Sequence, residues 1–215
     1  MEQSLFPLFP LEVVLLPEEL LPLHIFEERY KQMIGECLEA KSHGSGQQEF
    51  GVVLAKEREM RPVGGSARIV NLTRKYEDGR MDILSMGTRR FEILYTNAES
   101  AYLRAGVDFF EDDPDSDTPP DPEAERAIEL FRSAMRQLRR SSEMPIHLPR
   151  PYRHLSFRIA APLPLELEFK QQLLSMRKEA DRLSQLTRVI ELLIVQLKRL
   201  DKARSRAGGN GDVSH

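Results

Sequence analysis

A chain of 215 residues that is 40 % hydrophobic and 30 % charged is long enough to bury a substantial core and has the make-up of a globular protein. Its net charge of −3 excludes a global basic field for nucleic acid or anionic lipid, and its single cysteine, Cys37, excludes an intrachain disulfide framework and a thiolate metal cage. No apolar run approaches the ~20 residues that span a bilayer, and the opening Met1-Glu2-Gln3-Ser4 lacks the build of a secretory signal, so the expected setting is cytoplasmic.

In chain order, Val13 to Leu16 is a short apolar run stopped by Pro17. Leu16 to Leu23 then places four leucines beside two prolines where a connection is normally polar. Capping of the core is the default for such leucines; exposure would make Leu16, Leu20, Leu21 and Leu23 an apolar contact site. From Glu27 to Ala40 the residues Tyr30, Met33, Ile34, Cys37 and Leu38 fall at helical spacing. Phe50 to Leu54 reads as a buried strand, Gly64-Gly65 as a turn, and Ala67 to Tyr76 as a long strand. Asp78-Gly79 predicts a two-residue type I′ hairpin, with Glu77 opposite Arg80 and Lys75 opposite Asp82. Phe91, Ile93 and Tyr95 alternate on one strand, and Leu103, Ala105, Val107 and Phe109 on the next. Many short strands with intervening turns point to a small barrel or sandwich.

Charge then divides the sequence. Residues 1–104 carry −3, residues 105–125 carry −9 with no basic residue, and residues 126–215 carry +9. The acidic stretch is rich in proline and reads as a solvated linker, or as an acidic ligand for a basic partner. Beyond it Ile128, Phe131, Met135 and Leu138 mark a helix behind an acidic first turn. Leu163-Pro164-Leu165 breaks the next segment. Glu166 to Lys202 contains no Pro or Gly, and it carries two apolar stripes, Met176, Ala180, Leu183, Thr187, Ile190, Ile194, Leu197 and Leu186, Ile190, Leu193, Leu197, Leu200. They predict one helix roughly 50 Å long with a broad apolar face, followed by a disordered tail from about residue 204.

Chemistry is scarce. The sequence holds no phosphate-cradling glycine loop, no pair of histidines at zinc-helix spacing and no nucleophile elbow, so neither a metal nor another cofactor is expected. Cys37 lies on an apolar stripe and reads as a small buried hydrophobe. Arg74, Lys75, Arg89 and Arg90, with Arg80, are the one basic concentration among the strands. They read as a solvated, ion-paired face, or alternatively as an RNA-contacting one, although no aromatic platform is interleaved.

An ordered set of short motifs adds a family resemblance. Pro7-Leu8-Phe9-Pro10-Leu11, Pro22-Leu23-His24-Ile25-Phe26-Glu27 with Arg29-Tyr30 and Met33, Phe50-Gly51-Val52-Val53, Asp78-Gly79-Arg80, and Gly87 with Arg90-Phe91 are similar to the opening of the Lon protease N-terminal domain. Ile159-Ala160-Ala161, Leu163-Pro164-Leu165, Lys170-Gln171 with Leu173-Leu174, and Arg182-Leu183 continue it, so that the resemblance spans about Leu5 to Leu200. Glu28 stands where the family often has proline, and the acidic linker looks like an expansion. The resemblance implies an α+β chain: an N-terminal PUA-like β-barrel with one or more helices (residues 5–109), the linker (110–122), and an all-α subdomain (123–203) ending in a long helix. It also implies a non-catalytic substrate-recognition module, since no residues match the ATPase or Ser-Lys protease parts of Lon. Such a module would bind exposed apolar or unfolded polypeptide, Leu16, Leu20, Leu21 and Leu23 forming the contact, and hand clients to a partner protease. PUA-like RNA binding is the alternative function, and a homodimer the alternative use of the long helix's apolar face.

Overall fold

The computed structural model describes residues 5–44, 46–57, 59–114, 116, 118–138, 148, 150 and 152–208. The elements follow in the order β1 (Phe6–Leu11), β2 (Leu20–Ile25), α1 (Glu28–His43), β3 (Glu49–Lys56), β4 (Glu59–Met60), β5 (Val63–Lys75), β6 (Met81–Asn97), β7 (Arg104–Phe110), α2 (Asp121–Leu138), α3 (Leu155–Ala160), α4 (Leu167–Ser175) and α5 (Glu179–Gly208). They divide into two units, Met1–Asp112 with Pro164–Arg177, and Asp113–Leu163 with Lys178–His215.

The first unit is a closed sheet. Strands run β1-β7-β6-β5-β3, and β1 returns to pair with β3 in parallel, while β2 adds to β6 and β4 to β3. This is the expected barrel. Its core takes in α1, whose Tyr30, Met33, Ile34 and Cys37 meet Phe9, Phe50, Val52, Ile69 and Ile83 in a single apolar cluster. The long strands bend at bulges, three in the β5–β6 pairing and one between β6 and β7, as closing a sheet of so few strands requires. Gly64-Gly65 is no turn but part of β5. Its purpose is close approach: a Cβ on Gly65 would lie 2.3 Å from the Leu15 carbonyl oxygen, and one on Gly87 of β6 would lie 2.1 Å from that of Leu16. The two glycines let Val14-Leu15-Leu16 lie on the barrel as a buried loop rather than a strand.

The β5–β6 hairpin also corrects the expected register. Gly79 N–H donates to the Tyr76 carbonyl (3.0 Å) and Tyr76 N–H to the Arg80 carbonyl (2.9 Å), so the loop has three residues, of which Gly79 takes φ 83°. Arg74, not Lys75, therefore faces Asp82, and Lys75 faces Met81.

The expected single helix from Glu166 is two helices. α4 belongs to the barrel unit, where Gln171 donates to the Val63 carbonyl (2.9 Å) and Lys170 meets Glu19 (3.4 Å). Met176 is extended (φ −76°, ψ 144°). The break has a long-range cause, since Arg90 on β6 donates through Nη1 to the carbonyls of Leu174 (3.2 Å) and Met176 (2.5 Å) and through Nη2 to Asp112 (2.5 Å). Carbonyls freed by ending the helix thus meet a buried guanidinium. Asp112, placed by composition in a solvated linker, has a side chain only 2 % exposed as its partner.

In the second unit α2 buries Ala124, Ala127, Ile128, Phe131, Ala134 and Met135, and α5 buries Leu183, Leu186, Ile190 and Ile194. Because α5 starts afresh at Glu179, the expected Met176–Ala180 stripe fails at its beginning: Ala180 is exposed, and Glu179 is buried instead. Glu179 accepts from Ser156 N–H (2.7 Å), Ser156 Oγ (2.7 Å) and Arg182 Nη2 (2.6 Å), thereby capping the start of α3. α5 continues as helix through Gly208, past the point where a disordered tail was expected; residues 209–215 lie outside the described residues.

Candidate functional site

The leucine-rich stretch is not a loop throughout. From Leu20 it becomes β2, antiparallel to β6 with Leu20 opposite Met86, Pro22 opposite Leu84 and His24 opposite Asp82. Strand geometry alternates the side chains, so that Leu21, Leu23 and Ile25 turn to the barrel core while Leu20, Pro22 and His24 turn to solvent. Of the four leucines expected at a contact site, Leu16 is 0 % exposed and cannot touch a partner; Leu21 and Leu23 pack against the core; Leu20 alone stands out, at 56 % exposure.

Leu20 has company that sequence spacing did not reveal. Through the registers of β2, β6 and β5 the outward face reads Leu20–Met86–Arg68, then Pro22–Leu84–Asn71, then His24–Asp82–Arg74. Four apolar side chains form its centre. A shallow cavity of about 380 Å³ opens over Pro22, His24, Thr73, Asp82 and Leu84. Pro22 fits an edge strand, because it brings no N–H that would need a ladder partner. The signal available in the sequence was the two-residue spacing of Leu21, Leu23 and Ile25 in β2; along Met81–Gly87 the alternation shows only in burial, buried and partly open residues taking turns.

The polar end of this face is tightly organised. His24 Nδ1 and Asp82 Oδ1 are 2.5 Å apart, and Tyr76 donates its hydroxyl to Asp82 Oδ2 (2.8 Å). These bonds, His24 first and Tyr76 second, hold the Asp82 carboxyl below its ordinary pKa and hence ionised. Arg74 and Arg80 lie against the Tyr76 ring, 4.5 and 5.0 Å from its centroid. Phe26 stacks near His24 with ring centroids 6.0 Å apart.

The family model for the ATP-dependent protease La (LON) substrate-binding domain matches residues 6–192. The chain belongs to the Lon substrate-binding domain family. It is similar to the Lon N-terminal domain protein from Xanthomonas campestris, at 27 % identity and a TM-score of 0.62 over 85 % of this chain and 96 % of that one. The N-terminal domain of the Mycobacterium avium complex Lon protease shares the fold at 18 % identity, with a TM-score of 0.63 over 89 % and 98 % of the two chains. The chain is thus a module of the substrate-recognition type, and the matched family is that domain rather than the ATPase or protease of Lon.

Several Lon-like motif residues prove to be structural. Arg90, expected on a basic face, is 3 % exposed and bound to Asp112, Leu174 and Met176 as above, which withdraws it from any nucleic-acid surface. Arg89 is exposed but pairs with Glu49 (3.2 Å) and covers the Phe109 ring at 3.8 Å. Arg74 and Lys75 are exposed, yet the nearest aromatic ring, Tyr76, is covered by arginines and offers no open face for a base. Arg182 and Leu183 are buried in the second unit. Cys37 is buried, and desolvation pushes its thiol up to about 12, so it is no nucleophile near neutral pH. Among the described residues no group of three or more His, Cys, Asp or Glu could hold a metal ion, and no described helix is long and apolar enough to cross a membrane.

Proposed function

We propose that this chain is a cytoplasmic, non-catalytic recognition module that captures exposed apolar segments of unfolded polypeptide on the outward face of β2 and β6, for delivery to a protease. The observation that carries this reading is the strip of Leu20, Pro22, Leu84 and Met86 turned toward solvent from paired strands. An extended client offers side chains of the same two-residue period to such a strip. Full burial of one large apolar side chain stabilises by roughly 1.5–3 kcal/mol. A shallow face achieves only part of that, against the cost of ordering an unfolded chain, so each contact is weak and tolerant of sequence.

The test is suppression of aggregation of an unfolded model client, without nucleotide. The wild-type protein slows aggregation; L20S/M86S loses the effect while keeping the wild-type unfolding midpoint. Full activity in that variant would contradict the reading. Substitution of Leu21 is unsuited to this test, since that side chain packs against the core.

A further inference from the structure

The apolar strip is bordered along β5 by three exposed cations, Arg68, Arg74 and Lys75, set against a single ionised carboxylate of the strip, Asp82. Arg68 lies beside Met86 and Arg74 beside Asp82, both exposed, with the uncharged Asn71 between them beside Leu84. Among the described residues neither arginine makes an ion pair within 4 Å, although Arg74 faces the ionised Asp82 and helps to hold its pKa down; most other carboxylates nearby are engaged. Glu49, opposite Arg68 on β3, is held by Arg89 at 3.2 Å; Asp82 is held by His24 at 2.5 Å and by Tyr76 at 2.8 Å; Glu19, before β2, is held by Lys170 at 3.4 Å; Asp78 is held by Arg80 at 2.7 Å. Lys75, next to Arg74, is also exposed and without an ion pair.

We infer that this face selects extended apolar segments flanked by acidic residues over equally apolar segments flanked by basic ones, with Arg68 and Arg74 as its specificity-determining residues. The inference rests on the binding face proposed above. The strand supplies the spacing: Arg68 and Arg74 border opposite ends of the strip, so an extended ligand lying along it brings charges a few residues before and after its apolar centre within reach of both. Nucleic acid is the less suitable anion here, because the centre of the face is aliphatic and gives bases nothing to stack on.

The experiment uses the full chain and three labelled unfolded peptides with one apolar centre, flanked by Glu, Gln or Lys, titrated by fluorescence anisotropy at low and high salt. The Glu-flanked peptide should bind about threefold to tenfold more tightly than the Gln-flanked one at low salt, as two exposed ion pairs allow, and the advantage should vanish at high salt. R68Q/R74Q should abolish the advantage without weakening the Gln-flanked peptide, and R68K/R74K should largely keep it. Equal binding of the three peptides, or a Lys-flanked peptide binding best, would overturn the inference while leaving the face itself standing. No binding by any peptide, or binding indifferent to L20S/M86S, would remove the face and the inference together. Displacement of the Glu-flanked peptide by oligouridine more readily than by its unlabelled copy would overturn the inference in favour of RNA.

Discussion

Before Pro17 the chain buries Val14, Leu15 and Leu16; after it, β2 sends Leu20, Pro22 and His24 outward. The two regions are nearly alike in composition and adjacent in sequence. What separates them is the backbone: the first lies against Gly65 and Gly87 with no room for a Cβ, and the second is a strand whose alternation leaves half its side chains in water. The arginines divide in the same way. Arg90 and Arg182 are buried and bonded to carboxylates, whereas Arg68 and Arg74 stand exposed and, among the described residues, make no ion pair. Residue type alone therefore does not distinguish a structural leucine or arginine from one available to a ligand. Backbone position does.

The comparison can be broken most visibly at Cys37, on the buried side. A thiol at about 12 is almost wholly protonated at pH 8, so native Cys37 should react with a thiol reagent about a thousandfold more slowly than in denaturant; similar rates would show that the α1 face opens readily. Next comes Arg90. R90A strands the buried Asp112 and should lower stability by about 3–5 kcal/mol in denaturant titrations, while the apolar pair R90L/D112L should cost less than R90A alone. A loss below about 1 kcal/mol for R90A would deny this cluster its structural role.

Leucine truncation sharpens the contrast further. L16A should cost about 2–5 kcal/mol, whereas L20A should stay within about 0.5 kcal/mol yet weaken client binding. Smallest of all, R68Q should leave the unfolding midpoint almost unchanged, because an exposed arginine without an ion pair has little to lose.

Much of the barrel was legible in the sequence. The α1 stripe carries a helical period, as the α2 stripe does in the second unit, and the short apolar run from Phe50 to Leu54 has the length of a buried strand. The failures share a cause in partners distant along the chain. Nothing local ends the helix at Ser175, because the group that receives its terminal carbonyls is Arg90, 84 residues earlier. Nothing in an acidic, proline-rich composition marks Asp112 as buried, because its counter-ion is that same arginine. At the candidate site Leu20 was legible as unusual. Its neighbours Leu84 and Met86 were not, since only the β2–β6 register places them beside it. Reading the stretch as a loop also hid the alternation that turns Leu21 and Leu23 inward.

The most direct measurement is methyl NMR of the intact chain during titration with an unfolded client. The methyl signals of Leu20, Leu84 and Met86 should shift together and with one affinity, while those of the fully buried Leu16 stay in place. Shifts confined to Leu192, Val195 and Leu200, the exposed apolar residues of α5, with the β2–β6 methyls unmoved, would contradict capture on the barrel face.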